Sequence, residues 1–349
     1  MAKDLQKPAA GLGAESRRLC LPYGRGTIEA ELNWGRRLGE LDIADRPALV
    51  KLNEAMGQAL NNSIGLEKSL FDIVQPGESV AIIVSDSFRK TAVHEYLPVL
   101  LEGLMRAGIA EERICFVFST GAHRPPTPEE QTVILGPAVF ARFQDRLVNH
   151  DPCDDANLIA FGTTSRGTPV YFNRQAMECD RVIATGAVVL HYFGGFGGGR
   201  KAILPGIAGV KTISHNHSMN LDPEQDRLNP AVRIGALDGN PVAEDMLEGA
   251  KLGKCDFIIN TVLNRAGQIT GIFAGELEAA HRKAAEFARE LYAVPFSEPA
   301  DLVIAASGPT KNFVQTHKAL YNAYQVMKPN GRIILIAKCE EGLGGENFA

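Results

Sequence analysis

The chain has 349 residues, 45% apolar and 22% charged, with 36 Lys and Arg against 41 Asp and Glu for a net charge of -5. Such proportions describe a globular protein with a sizeable core, and the length suits two domains. The cations are dispersed rather than gathered into a stripe, which argues against a nucleic-acid partner; no run reaches the roughly 18 apolar residues of a bilayer span, which argues against a membrane one.

In chain order, two early lysines without an apolar stretch behind them point to a soluble cytoplasmic protein. TIEAEL alternates as a half-buried strand does, and residues 48–64 read as a helix. After Pro76-Gly77, SVAIIVSD is a buried strand and HEYLPVLLEGLMRAGI a helix; RICFVFSTGAHR repeats strand and loop. Further strands are expected at Asn157 to Phe161, in DRVIATGAVV and in KCDFIINTVLN, with a helix at ELEAAHRKAAEFARELY. Past Ser297-Glu298-Pro299, ADLVIAASG, VQTHKALYNAYQVM and GRIILIAKC read as strand, helix and strand. Alternation at this spacing predicts an α/β fold: a mostly parallel, helix-covered sheet in a large N-terminal domain, 1–275, and a second, smaller α/β domain, 276–349, apparently incomplete because one β-α-β unit closes no core alone. In such sheets ligands sit beyond the carboxyl ends of the strands, where Asp86, His123 and His191 fall. Six scattered cysteines form no C-x-x-C pair and read as buried thiols.

Four constellations could carry chemistry. SDSFRK places Asp86 and Arg89 at a strand end, suited to a ribose and an anion, or simply to a surface salt bridge. STGAHRPPT sets His123 in a proline-stiffened loop, a general acid or base or a packed loop histidine. HYFGGFGGGRK packs five glycines between Gly194 and Gly199, then Arg200 and Lys201, as a phosphate cradle would; Ala202 excludes a Walker A loop, and no acidic residue follows at the spacing of a dinucleotide fold. The aromatic residues Tyr192, Phe193 and Phe196 argue against a linker. SHNHS offers His215 and His217, of which a helix would aim only one into a site, with no further metal ligands at familiar spacing.

Taken in order, D-x-x-R at Asp86 and Arg89, S-T-G-A-H-R at Ser119 to Arg124, H-x9-K from His191 to Lys201 within HYFGGFGGGRKAILPGIAG, Asn216-His217, and Q-x-x-K at Gln315 and Lys318 resemble the lactate racemase family over most of the chain. The resemblance implies a nickel-pincer nucleotide, nickel pyridinium-3,5-bisthiocarboxylic acid mononucleotide, joined covalently through Lys201 and completed by His217 on the metal. It implies that Asp86, Ser87, Phe88 and Arg89 contact the nucleotide, that Arg89, Gln315 and Lys318 bind substrate, and that His123 and His191 are the acid/base pair. Partners would be a small 2-hydroxy acid and the cofactor-synthesis proteins. Phe88 replaces a common threonine and Val314 a frequent aromatic, so the acid need not be lactate. The reaction so implied removes hydride from carbon while a histidine takes the hydroxyl proton, which avoids a carbanion beside a carboxylate. A non-catalytic protein holding a nickel nucleotide or another phosphate ligand is the competing reading, since it would keep Lys201 and His217 but has no use for two bases. A phosphate-loop hydrolase lacks its Ser/Thr and its acidic magnesium motif.

Overall fold

The computed structural model describes residues 18–222 and 224–344. The chain divides into two compact units, Ile43–Ala293 and the two terminal segments Met1–Asp42 and Val294–Ala349. The division drawn at 275/276 is therefore corrected. The helix Ala279–Tyr292 packs on the strands Phe257–Leu263 and Ile269–Gly275, so the boundary falls after it; the described residues up to Asp42 belong with the C-terminal segment.

The large unit is built on a six-stranded sheet in the order Ile269–Gly275, Phe257–Leu263, Arg181–Ala187, Val80–Ser85, Ile114–Ser119, Leu147–Asn149. All neighbours run parallel except the first two, which are antiparallel. Strand residues alternate faces, and both faces are covered. Ile82, Val84, Phe116 and Phe118 pack beneath the helices Leu52–Asn61 and Leu97–Arg106. Ala81, Ile83, Val117 and Val182 meet Ile203, Leu204, Ile207 and the helix Pro241–Leu252 on the other side. This explains why the central strands read as unbroken apolar runs.

From the central strand Val80–Ser85 the chain steps outward through Ile114–Ser119 to Leu147–Asn149, then returns to lay Arg181–Ala187 on the opposite flank and continues to Phe257–Leu263. The direction of winding reverses between Val80–Ser85 and Arg181–Ala187. In sheets wound this way the loops leaving those two strands part at their carboxyl ends, which is where a ligand crevice is expected.

The expected strand near Asn157 to Phe161 exists as Leu158–Thr163, but it pairs antiparallel with Pro169–Asn173 in a ribbon outside the main sheet. In the second unit, Gly26–Glu31 pairs with Arg18–Tyr23 as a hairpin whose residues are exposed, not half-buried, because a two-stranded ribbon has one partner and little to cover its faces. Ala300–Ala306 and Met327–Ile336 form a parallel pair joined through the helix Phe313–Tyr324, the expected β-α-β unit. The expected early stop at GLGGENFA falls largely outside the described residues. Among the described residues no helix is long and apolar enough to cross a membrane.

Candidate active site

The strand Val80–Ser85 ends by turning its backbone tightly, with the Arg89 N–H donating to the Asp86 carbonyl at 3.3 Å. Asp86 is buried, and its two carboxylate oxygens do different work. Oδ1 accepts from the Phe88 N–H at 3.0 Å; Oδ2 lies 2.6 Å from His123 Nδ1. His123 arrives from the neighbouring strand's loop, where its own N–H donates to the Thr120 carbonyl at 2.9 Å. The Phe88 ring lies 4.7 Å from the imidazole, and Arg124 stands 5.3 Å over the same ring. Asp86 thus pairs with a histidine rather than with Arg89, and the carboxylate leaves His123 Nδ1 as the proton-bearing nitrogen. Ser87 sits half-buried in the turn.

Across the crevice the strand Arg181–Ala187 runs into the glycine-rich loop. His191 and Gly195 pair as a two-residue ladder, and His191 Nδ1 accepts from the Gly194 N–H at 3.2 Å. The neutral ring therefore carries its proton on Nε2, opposite to His123. Phe193 is the hub of this corner: His191 lies 4.5 Å from its ring, His217 4.7 Å, and Lys201 Nζ stands 4.8 Å above it. A methyl group placed on Gly194 would come within 3.3 Å of Lys201 Nζ and 3.6 Å of His191 Nδ1, so both nitrogens border one small space. Burial, with help from the Lys201 charge, pushes the His217 imidazole down to about 3, which keeps it neutral at physiological pH. Lys201 and His217 thus lie within electrostatic reach of each other.

Two links join the corners. The Gly121 N–H donates to the Gly206 carbonyl at 2.9 Å, tying the His123 loop to the segment after Lys201. Burial raises the Tyr192 hydroxyl while the Arg89 charge pulls it the other way, so the Arg89 charge is felt at Tyr192. His215 and His217 sit on the helix Val210–Ser218, where they diverge: His215 Nδ1 is 2.9 Å from the Thr168 hydroxyl, and only His217 meets Phe193. Gln315 and Lys318 occupy the helix Phe313–Tyr324 of the other unit, with Lys318 Nζ donating to Gln315 Oε1 at 2.5 Å.

Arg200 does not serve as a second phosphate contact. It is buried, donating from Nε to the Ala243 carbonyl at 3.2 Å and from Nη2 to the Gly194 carbonyl at 2.7 Å, while Nη1 faces His281. His281 in turn lies 2.9 Å from the Gly197 carbonyl, and Asn260 Oδ1 accepts from the Gly199 N–H at 2.8 Å. These three side chains hold the loop, and His281 and Asn260 are absent from the sequence reading. Asn260 had a signal, an amide in an otherwise apolar strand; His281 was hidden in a helix that reads as charged surface. Gly199 cannot carry a side chain here: at φ +51° its Cβ would sit 2.5 Å from the His281 ring.

The fold is a mostly parallel, helix-covered α/β sheet with candidate residues at its carboxyl ends. Residues 23–228 match the family described as lactate racemase N-terminal domain. The chain is 35% identical over 333 residues to the lactate racemase of Lactiplantibacillus plantarum and 33% identical to that of Thermoanaerobacterium thermosaccharolyticum, in each case covering 94% of this chain and 76% of the relative. The lactate racemase apoprotein structure from the latter organism superposes with a TM-score of 0.82 at 32% identity, over 94% of this chain and 76% of that one. A Thermotoga maritima structure, 21% identical, shares the fold with a TM-score of 0.62 over 81% of this chain and 70% of that one. The chain belongs to the lactate racemase family.

Proposed function

We propose that this chain is a cytoplasmic racemase or epimerase of a small, lactate-like 2-hydroxy acid, dependent on a nickel-pincer nucleotide delivered by cofactor-synthesis proteins. The observation that carries the reading is the gathering of His191, Lys201 and the buried, neutral His217 around the Phe193 ring, with the Asp86–His123 pair at the carboxyl end of the same sheet.

The residues suit such a group. Among the described residues no cluster of three or more His, Cys, Asp or Glu stands ready for a metal, so a metal at His217 has to bring most of its own ligands. A neutral imidazole suits nickel, and the side-chain-free Gly194 leaves room beside Lys201. Lys201 would hold the nucleotide covalently as a thioamide, His217 would ligate the metal, and Asp86, Ser87, Phe88 and Arg89 would contact the nucleotide. When bound, the nickel-pincer nucleotide supplies hydride acceptance and return at the reacting carbon. Arg89, with Gln315 and Lys318, would grip the substrate carboxylate and hydroxyl.

The proton work falls to the chain. Asp86 holds His123 with Nε2 unprotonated, ready to accept the hydroxyl proton of one enantiomer. His191 presents Nε2–H instead, and to take the proton of the opposite enantiomer it has to move its own to Nδ1 and give up the Gly194 contact. The two directions therefore start from different proton arrangements.

The test is intact-mass measurement of protein produced with the cofactor-synthesis enzymes, followed by stereoinversion of a panel of 2-hydroxy acids deuterated at C2. An adduct that vanishes in Lys201→Ala, with product retaining deuterium, is the expected result. An unmodified wild type that inverts none of the panel ends the proposal, and wash-out of deuterium to solvent replaces hydride transfer with proton abstraction.

A further inference from the structure

Both histidines of SHNHS answer to a single buried carboxylate. Asp245, fully buried on the helix Pro241–Leu252, accepts at one oxygen from the Thr164 hydroxyl. At the other it accepts from the Thr168 hydroxyl and from Asn216 Nδ2, each at 2.8 Å. Asn216 Nδ2 also donates to the Val242 carbonyl at 3.1 Å. With two acceptors on its nitrogen side, the amide has one orientation, and its oxygen is left 3.1 Å from His217 Nδ1. An amide oxygen only accepts, so Nδ1 has to carry the ring proton. Nε2 then keeps its lone pair. Thr168 acts in parallel: its single proton goes to Asp245, so its oxygen accepts from His215 Nδ1 at 2.9 Å.

We propose that Asp245 is a positioning residue that, acting through Asn216, locks His217 in the Nδ1–H tautomer and keeps Nε2 free to donate its lone pair to a metal. The metal half of this statement rests on the nickel-ligand role proposed for His217, whereas the tautomer belongs to the chain alone. Metal-binding imidazoles are commonly oriented by a hydrogen bond on the other ring nitrogen, and loss of that partner costs about 10–100-fold in affinity or activity.

Long-range proton–nitrogen-15 correlations of the imidazoles in the full chain without cofactor provide the test, with His217 assigned by its disappearance in His217→Gln. At neutral pH the wild type is expected to show Nδ1 in the pyrrole-type range and Nε2 in the pyridine-type range. Asn216→Leu removes the acceptor, and Asp245→Asn supplies a donor that lets the Asn216 amide turn over; both, with far-UV circular dichroism unchanged, are expected to show mixed tautomers. Produced with the cofactor-synthesis enzymes, each is expected to retain about 10-fold less nickel than wild type. An Nε2–H form in the wild type overturns the proposal. So does an Nδ1–H form unchanged in both variants, which takes the tautomer out of the control of Asn216 and Asp245. Tautomers that behave as expected in a wild type that retains no nickel uphold the positioning role and remove the nickel assignment instead.

Discussion

The two ends of the central sheet solve their electrostatics in opposite ways. At the amino end, Arg181 donates to Glu78 at 2.7 and 2.8 Å and to Asp256 at 3.2 Å, while Ser79 gives its N–H and hydroxyl to Asp180 at 2.8 and 2.7 Å. Each charge there has an opposite charge or a donor. At the carboxyl end, Arg200 is buried against carbonyls and an imidazole, which pulls its guanidinium down to about 10, and both His217 and His281 are pushed to about 3 by burial and nearby cations. The amino end pairs its charges with one another, whereas the carboxyl end, besides the Asp86–His123 pair, buries Arg200, His217 and His281 with no carboxylate among their described hydrogen-bond partners. Shifted groups of this kind gather where chemistry is done, so the carboxyl end is the place the proposed function assigns to it, and the paired charges of the amino end are read as stability.

The sharpest way to break this contrast is to remove the two rings proposed as acid and base. His123→Gln and His191→Gln are each expected to lower turnover by about 10²–10⁴-fold while leaving the urea midpoint close to wild type. A variant with wild-type turnover removes its ring from the proton chemistry. At the other end, Arg181→Met is expected to cost about 2 kcal/mol of stability, since two partly buried carboxylates lose a charged partner, with kcat/KM unchanged once folded. A loss of activity without a loss of stability would reverse the division of labour.

The smallest expected effect is a slope. His281 is neutral in the fold with its imidazole held near 3, whereas in the unfolded chain it titrates near its ordinary value of 6.5. The unfolded state binds the extra proton between those values, so this contribution is complete above about pH 6.5 and is lost as pH falls toward 3. Urea unfolding from pH 6 to pH 4 should show wild type losing about 1.4 kcal/mol more per pH unit than His281→Gln. Parallel pH curves would mean that the ring is already charged in the fold.

Much of the frame was legible because the central strands are buried on both faces, so SVAIIVSD, RICFVF and KCDFIINTVL stand out as apolar runs. The antiparallel strand Ile269–Gly275 was not, since glycines at 271 and 275 thin its pattern. The helix Pro241–Leu252 carried a start signal that went unread, Asn240 capping the Ala243 N–H with Pro241 at the first position. Its Asp245 looks like one acid among several in AEDMLEG, and only the fold distinguishes it, fully buried, from the half-buried Glu244 and Glu248. At the candidate site, the strand ends and the glycine loop named residues that the fold brings to the carboxyl ends of the sheet. The pairing of Asp86 with His123 and the burial of Arg200 depend on contacts 37 and 43 residues away in the chain, which local pattern cannot supply.

Gly195 is as constrained as Gly199: at φ +71° its missing side chain would fall 1.9 Å from the Ala236 carbonyl. With backbone on one side and the His281 ring on the other, the loop has almost no freedom to accept new side chains. Any widening or narrowing of substrate range has to be written elsewhere, in positions such as Phe88 whose rings border the crevice without bearing the loop. Directed evolution toward a different hydroxy acid should therefore accumulate its changes around Phe88 and leave the glycines untouched.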